Sequence, residues 1–157
     1  MNKIFEYRIE VLKVNALENA LTLIKDVFME FEAPDYNNEG IKNFIDFIEI
    51  SSIKNLTRSH ILSFWGCYDK EKLVGVIATK QMSHISMLFV DKCYHRKGIA
   101  KNLFKTILKN AIVKNIKEIT VNSSPYAVEF YHKLGFLDTK IEQTIDGIRF
   151  TPMKMSI

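Results

Sequence analysis

The sequence predicts an α/β fold, a mixed and mostly antiparallel sheet flanked by helices in the order β-α-α-β-β-β-α-β-α-β-β. Three observations predict it. Two strand-like runs, Ile61–Tyr68 and Leu73–Lys80, flank the polar turn Asp69-Lys70-Glu71-Lys72, and a third run, Ile85–Val90, follows. A long amphipathic helix then covers about Gly98 to Lys114. Short strands and one helix alternate through the remainder, which places helices on the faces of one sheet.

Each element has its own signal. Phe5–Leu12 alternates as a first strand. Asn15 is the expected N-cap of a helix whose apolar positions are Leu17, Leu21, Ile24, Phe28 and Phe31, and Pro34 ends it. A shorter helix is expected over Glu39–Ile48, with Ile41, Phe44, Ile45 and Ile48 on one face, and Ser51–Ser59 is expected to be loop. The Gly98–Lys114 helix presents Ile99, Ala100, Leu103, Phe104, Ile107, Leu108, Ala111 and Ile112 on its apolar face and Lys101, Lys105 and Lys109 on the other. Glu118–Val121 is a strand. Ser124–Leu134 is a helix with Ser123 or Ser124 as cap, Pro125 in its first turn and Gly135 closing it. Phe136–Ile141 and Ile148–Met155 are the last strands, joined at the Asp146-Gly147 turn.

At 157 residues, with no repeat, linker or low-complexity tract, residues 1–157 are expected to form one domain. Lys and Arg number 22 against 18 Asp and Glu, a net charge of +4 that is too small to indicate nucleic acid. The start, Met1 to Glu6, carries no secretory signal pattern, and no apolar run approaches the roughly 18–20 residues that span a bilayer. Cys67 and Cys93 lie far apart and read as reduced thiols, so a cytoplasmic protein is expected, without membrane partner. A homodimer is compatible with the sequence. The four histidines show no metal-ligand spacing, so no metal is expected.

The chemistry is concentrated in Leu88-Phe89-Val90-Asp91-Lys92-Cys93-Tyr94-His95-Arg96-Lys97-Gly98-Ile99-Ala100. A strand ends, a basic loop turns and a helix begins at a glycine. Free backbone N–H groups and the positive end of the helix dipole make such a start an anion site. Gly98 permits close approach of a bulky anion, and His95, Arg96, Lys97 and Lys101 add positive charge, which suits a diphosphate. Such turns are common and mostly bind nothing, so the turn alone does not decide. No Gly-x-Gly-x-x-Gly fingerprint and no P-loop is present.

His95-Arg96-Lys97-Gly98-Ile99-Ala100 resembles the acetyl-CoA loop of the GCN5-related N-acetyltransferases, whose pattern is Gln/Arg-x-x-Gly-x-Gly/Ala. Asn122-Ser123-Ser124, then Phe130-Tyr131-His132-Lys133-Leu134-Gly135-Phe136, resembles the family's second signature, and Leu73-Val74-Gly75-Val76-Ile77 its central hairpin. Together these cover about residues 61–140. The resemblance implies acetyl-CoA as co-substrate and transfer of its acetyl group to a primary amine of a small molecule or peptide, by direct attack on the thioester. It implies that the N–H groups of Arg96 to Ala100 hold the pyrophosphate, with His95 and Lys101 beside it. It further implies that the edge of Leu88, Phe89 and Val90 bonds the pantetheine arm, that Ser124 contacts that arm, and that Tyr131 protonates the leaving thiolate. His95 stands where Gln or Arg is usual, and the strand His84–Val90 lacks the carboxylate that some relatives use as base.

By periodicity alone Tyr131 reads as a core residue; the resemblance gives it the catalytic role. His84 and His95 are base candidates because imidazole titrates near neutrality, and a water relay to Glu30 or Glu32 is an equal alternative. His60 and His132 read as surface residues. Residues 29–49 hold six carboxylates against Lys42, a net of −5 that leaves +9 elsewhere. Such a segment either draws a cationic amine to an acceptor cleft or is the wet face of two helices. Two further readings remain beside the enzyme: a CoA-binding sensor of the same fold without turnover, and a nucleic-acid binder using the Lys101, Lys105, Lys109 stripe.

Overall fold

The computed structural model describes residues 4–157. Met1 to Lys3, on which part of the leader reading rests, lie outside them. The elements are β1 (Arg8–Val11), α1 (Leu17–Phe31), α2 (Asn38–Phe47), α3 (Ile50–Arg58), β2 (Leu62–Asp69), β3 (Lys72–Lys80), β4 (His84–Val90), α4 (Ile99–Val113), β5 (Glu118–Ser123), α5 (Val128–Leu134), β6 (Leu137–Asp138), β7 (Gln143–Ile145) and β8 (Ile148–Ser156). The expected class and order stand, with a third helix and one more short strand added.

The sheet order is β1-β2-β3-β4-β5-β8-β6, and β7 pairs with the first part of β8. Every pairing is antiparallel except β4–β5. Alternating side chains feed two cores, one on each face. Val74 and Ile77 of β3 join Ile99, Leu103 and Ile107 of α4 on one face, while Val76 and Ala78 join Leu17, Ile24 and Phe28 of α1 on the other. A bulge in β3 at Val74, opposite Cys67 and Tyr68, lets Val74 and Val76 face opposite ways despite their even spacing.

Four expectations are corrected. Ser51–Ser59 is helical: the Glu49 side chain accepts from the Ser51 and Ser52 N–H groups and caps α3, which buries Ile53. Asn15 does not cap α1; it lies in a 3-10 turn, Val14–Ala16, and Ala16 precedes the helix. The strand expected over Phe136–Ile141 shrinks to Leu137–Asp138, because only those residues find the edge of β8. Ile112 is 54% exposed rather than part of the α4 core face.

The pairing of β4 with β5 positions the site. It holds only at His84↔Thr120 and Ile85↔Val121. Beyond that, Ser86 bulges out of β4, between pairs Ala78↔Met87 and Thr79↔Ile85, and the two strands part. One edge of β4 is thus left unpaired over its second half, in the middle of the sheet.

Candidate active site

The gap between β4 and β5 opens into two cavities. One, of about 550 Å³, lies beside the turn into α4 and is lined by Arg96, Gly98, Ile99, Ala100 and Lys101. The other, of about 600 Å³, runs along β4 under α2 and the β7–β8 hairpin. The two share Glu32, Leu88, Phe89, Ala127 and Tyr131, so they meet where β4, the end of α1 and α5 converge.

The basic turn is built for an anion. Gly98 precedes α4 with φ +79°, Arg96 has φ +61°, and no side chain caps the helix. Alternating left-handed residues turn successive N–H groups inward, as in anion-binding nests. The first intrahelical bond is Asn102 N to Gly98 O at 3.0 Å, so the N–H groups of Ile99, Ala100 and Lys101 are left free. The turn is anchored behind by Asp91, which accepts from Cys93 N at 2.8 Å, and by His95 Nε2, which donates to Val90 O at 2.7 Å. That bond makes His95 a brace of the turn and fixes the neutral tautomer in which Nδ1 is the acceptor. Lys97 is exposed and lines neither cavity.

The open edge of β4 follows from alternation. Asp91 N donates to Val74 O at 2.8 Å, toward β3. The backbone groups of Val90 and Leu88 therefore face the opposite edge, and those of Phe89 face β3. His95 occupies the Val90 carbonyl. Leu88 keeps its N–H and C=O toward the cavity, where an extended ligand can pair with them as a strand would.

At the junction stands Glu32, the residue after α1. Ser124 Oγ donates to Glu32 Oε1 at 3.1 Å. Burial pushes the Glu32 carboxyl up to about 7; the Ser124 bond opposes this and Asp35 adds to it. Tyr131 is 4% exposed and packs edge-on against Phe130 and Phe136 at 5.3 and 5.4 Å. Burial first, and the Glu32 charge second, raise its phenol well above the ordinary range. Its hydroxyl has no hydrogen-bond partner among the described residues, and the residue borders both cavities. Ser124 thus engages Glu32 and lines only the second cavity.

The other ionisable groups are placed elsewhere. Glu30 pairs with Lys92 at 3.5 Å and lines a separate surface hollow. Asp35 lies 3.9 Å from Arg149, Asp46 pairs with Lys42 at 2.7 Å, and Glu49 caps α3. The acidic segment is therefore not a single lip; of its six carboxylates, Glu30, Glu32, Asp35, Glu39, Asp46 and Glu49, Glu32 alone reaches the junction. His84 Nδ1 lies 2.8 Å from Thr120 Oγ1, and burial, then Lys80, pushes its pKa down. It borders the far end of the second cavity. His132 pairs with Asp138 at 2.6 Å on the surface. Among the described residues no cluster of His, Cys, Asp or Glu could hold a metal ion.

A family model describing an acetyltransferase (GNAT) domain matches residues 32–157. The chain belongs to the GCN5-related N-acetyltransferase (GNAT) family. Within it, the chain is 30% identical to the uncharacterized N-acetyltransferase YafP of Escherichia coli K12 over 122 residues, which cover 76% of this chain and 75% of YafP. It is 25% identical to human N-acetyltransferase 8 over 112 residues, 61% of this chain but only 49% of that protein. The GNAT fold recurs in a GCN5-related N-acetyltransferase structure from Rhodopseudomonas palustris, with TM-score 0.85 and 18% identity over the full length of both chains. It recurs in the PaiA N-acetyltransferase of Thermoplasma acidophilum in complex with coenzyme A, with TM-score 0.80 and 22% identity over 97% of this chain and 99% of that one.

Proposed function

We propose that this GNAT chain, acting as one domain in the cytoplasm, is an N-acetyltransferase that moves the acetyl group of acetyl-CoA to a primary amine. The observation that carries the reading is the meeting of a basic cavity suited to an anion and a largely apolar cleft at Glu32 and Tyr131. The coenzyme A bound to the PaiA structure supports the choice of co-substrate. No helix among the described residues is long and apolar enough to cross a membrane, and both cysteines are free.

The pyrophosphate sits on the free N–H groups of Ile99, Ala100 and Lys101, with the Arg96 and Lys101 charges beside it. The pantetheine arm extends along Leu88 and delivers the thioester to the junction. The amine enters through the second cavity. Glu32, poised near neutrality, takes the ammonium proton, and the free amine attacks the carbonyl carbon. The tetrahedral intermediate collapses, the C–S bond breaks, and Tyr131 gives its proton to the departing sulfur and regains one from the nitrogen as the amide forms. The two groups are coupled: burial holds Tyr131 acidity down first, and protonation of Glu32 removes the charge that adds to it.

The test is the pH profile with free CoA release as the readout. Activity should rise with pH through about 7, because only ionised Glu32 accepts a proton. Glu32→Gln should lower kcat by ~10²-fold or more and abolish that limb. A profile unchanged by the substitution refutes Glu32 as base, and the absence of CoA release with any amine refutes the enzyme.

A further inference from the structure

Glycine is the poorest helix former after proline, yet α2 buries one, Gly40, near its start. The reason is across the cleft. A Cβ on Gly40 would strike the Gly147 carbonyl and come within 3.2 Å of Ile148 N. A Cβ on Gly147 would strike Asn37 Oδ1 and Gly40 N and come within 2.9 Å of Gly40 Cα. The start of α2 and the tip of the β7–β8 hairpin are thus in direct backbone contact. One asparagine caps the start of α2 and a second bonds across to the hairpin. Asn37 Oδ1 accepts from Gly40 N at 2.9 Å, and Asn43 Nδ2 donates to Asp146 O at 2.8 Å.

Asn43 and Asp146 themselves line the second cavity, beside Phe44 and Phe47 from α2 and Ile148 and Phe150 from β8. The two walls are therefore joined to each other over the β4–β5 floor. The space beneath is largely apolar: its lining charges are Glu32 at the junction, Asp146 in the joined walls and Lys80 at the far end beside His84.

We propose that this clasp restricts the acceptor to a slender, apolar primary amine of small-molecule size, and that Gly40 and Gly147 are specificity-determining residues. The inference rests on the acetyltransferase reading above. An amine entering from the hairpin side passes lengthwise beneath the Asn43–Asp146 bridge to reach Glu32. A branched or cage-like body is disfavoured there, as is a lysine carried on a cyclic backbone. The aromatic walls reward an alkyl or aryl-alkyl body, and the single carboxylate at the junction receives the ammonium head.

The experiment compares hexylamine and phenethylamine with adamantylamine and a lysine-containing cyclic peptide, using acetyl-CoA and the whole chain. The slender amines should lead by about tenfold or more in kcat/KM, a margin typical of steric discrimination in apolar pockets. Gly147→Ala, which forces the walls apart, should shrink that margin severalfold. Asn43→Leu, which keeps bulk but removes the bridge donor, should act in the same direction. Calorimetric binding of acetyl-CoA reports that each variant is folded, and Asn43→Leu decides alone should Gly147→Ala fail that check. Wild-type protein that accepts the bulky amines equally well overturns the proposal, as does an unchanged margin in a folded variant. Should no amine be acetylated, amine-induced melting shifts in the presence of CoA make the same comparison. A slender-amine preference lost in the variants then upholds the clasp while the enzyme reading fails, and equal shifts overturn it.

Discussion

Glu32, the residue that caps the end of α1, and Glu30 in its last turn are two residues apart, which turns them about 200° away from each other. One is drawn under the sheet edge beside Ser124, and the other pairs with Lys92 in solvent. Nothing local distinguishes them, because the burial that perturbs Glu32 comes from elements more than fifty residues away. The motif pointed to Tyr131 and Ser124, but nothing in the sequence pointed to the bond between Ser124 and Glu32. That bond makes a sharp test. It holds the Glu32 pKa down, so Ser124→Ala should move the rising limb of the pH–rate profile to higher pH, with little change in acetyl-CoA binding. A limb that stays in place would detach Ser124 from the base. Tyr131→Phe preserves the edge-on contacts with Phe130 and Phe136 and removes only the hydroxyl. With chemistry rate-limiting, kcat should fall by ~10²-fold or more while acetyl-CoA affinity holds; an unaltered kcat would return the residue to the core.

At the scale of elements, the strongly periodic segments declared themselves: α1, α2, α4 and strands β2 to β5 lie within a few residues of where their patterns place them. The failures have local causes. α3 is short, rich in serine and β-branched residues, and capped by a glutamate rather than by the usual Ser, Thr, Asp or Asn. β6 and β7 are two and three residues long and exist only because β8 offers them an edge. The Ser86 bulge, which opens the site, leaves no mark in the composition of β4. The turn into α4 was legible because a left-handed residue at the helix start favours the glycine found there. Gly98→Glu would put a carboxylate against the free N–H groups of Ile99 to Lys101 and add a side chain at φ +79°. Coenzyme A should raise the melting temperature of the wild-type chain, since a ligand selective for the native state stabilises it, and should raise that of the variant far less. Equal shifts in the two proteins would remove the pyrophosphate from this turn.

Across the whole molecule, the two faces of the sheet are occupied by separate cores, and the site exists because the sheet between them is divided at β4–β5. The division places one chamber toward α4 and the other toward α2 and the hairpin, with contact only at the five shared residues. Neither cysteine lines either chamber: Cys67 is buried in the α4-side core and Cys93 borders the separate hollow near Glu30. A chemical reaction staged this way has two entrances and a single meeting point, and that arrangement dictates traffic. Neither reactant stands in the other's path, and the direct attack proposed above involves no acylated protein. Initial-rate plots at several fixed acetyl-CoA concentrations should therefore intersect, the mark of a ternary complex, and parallel lines would reveal an acylated protein instead. Free CoA should compete with acetyl-CoA but not with the amine, so that the inhibition pattern alone reports which doorway a molecule uses.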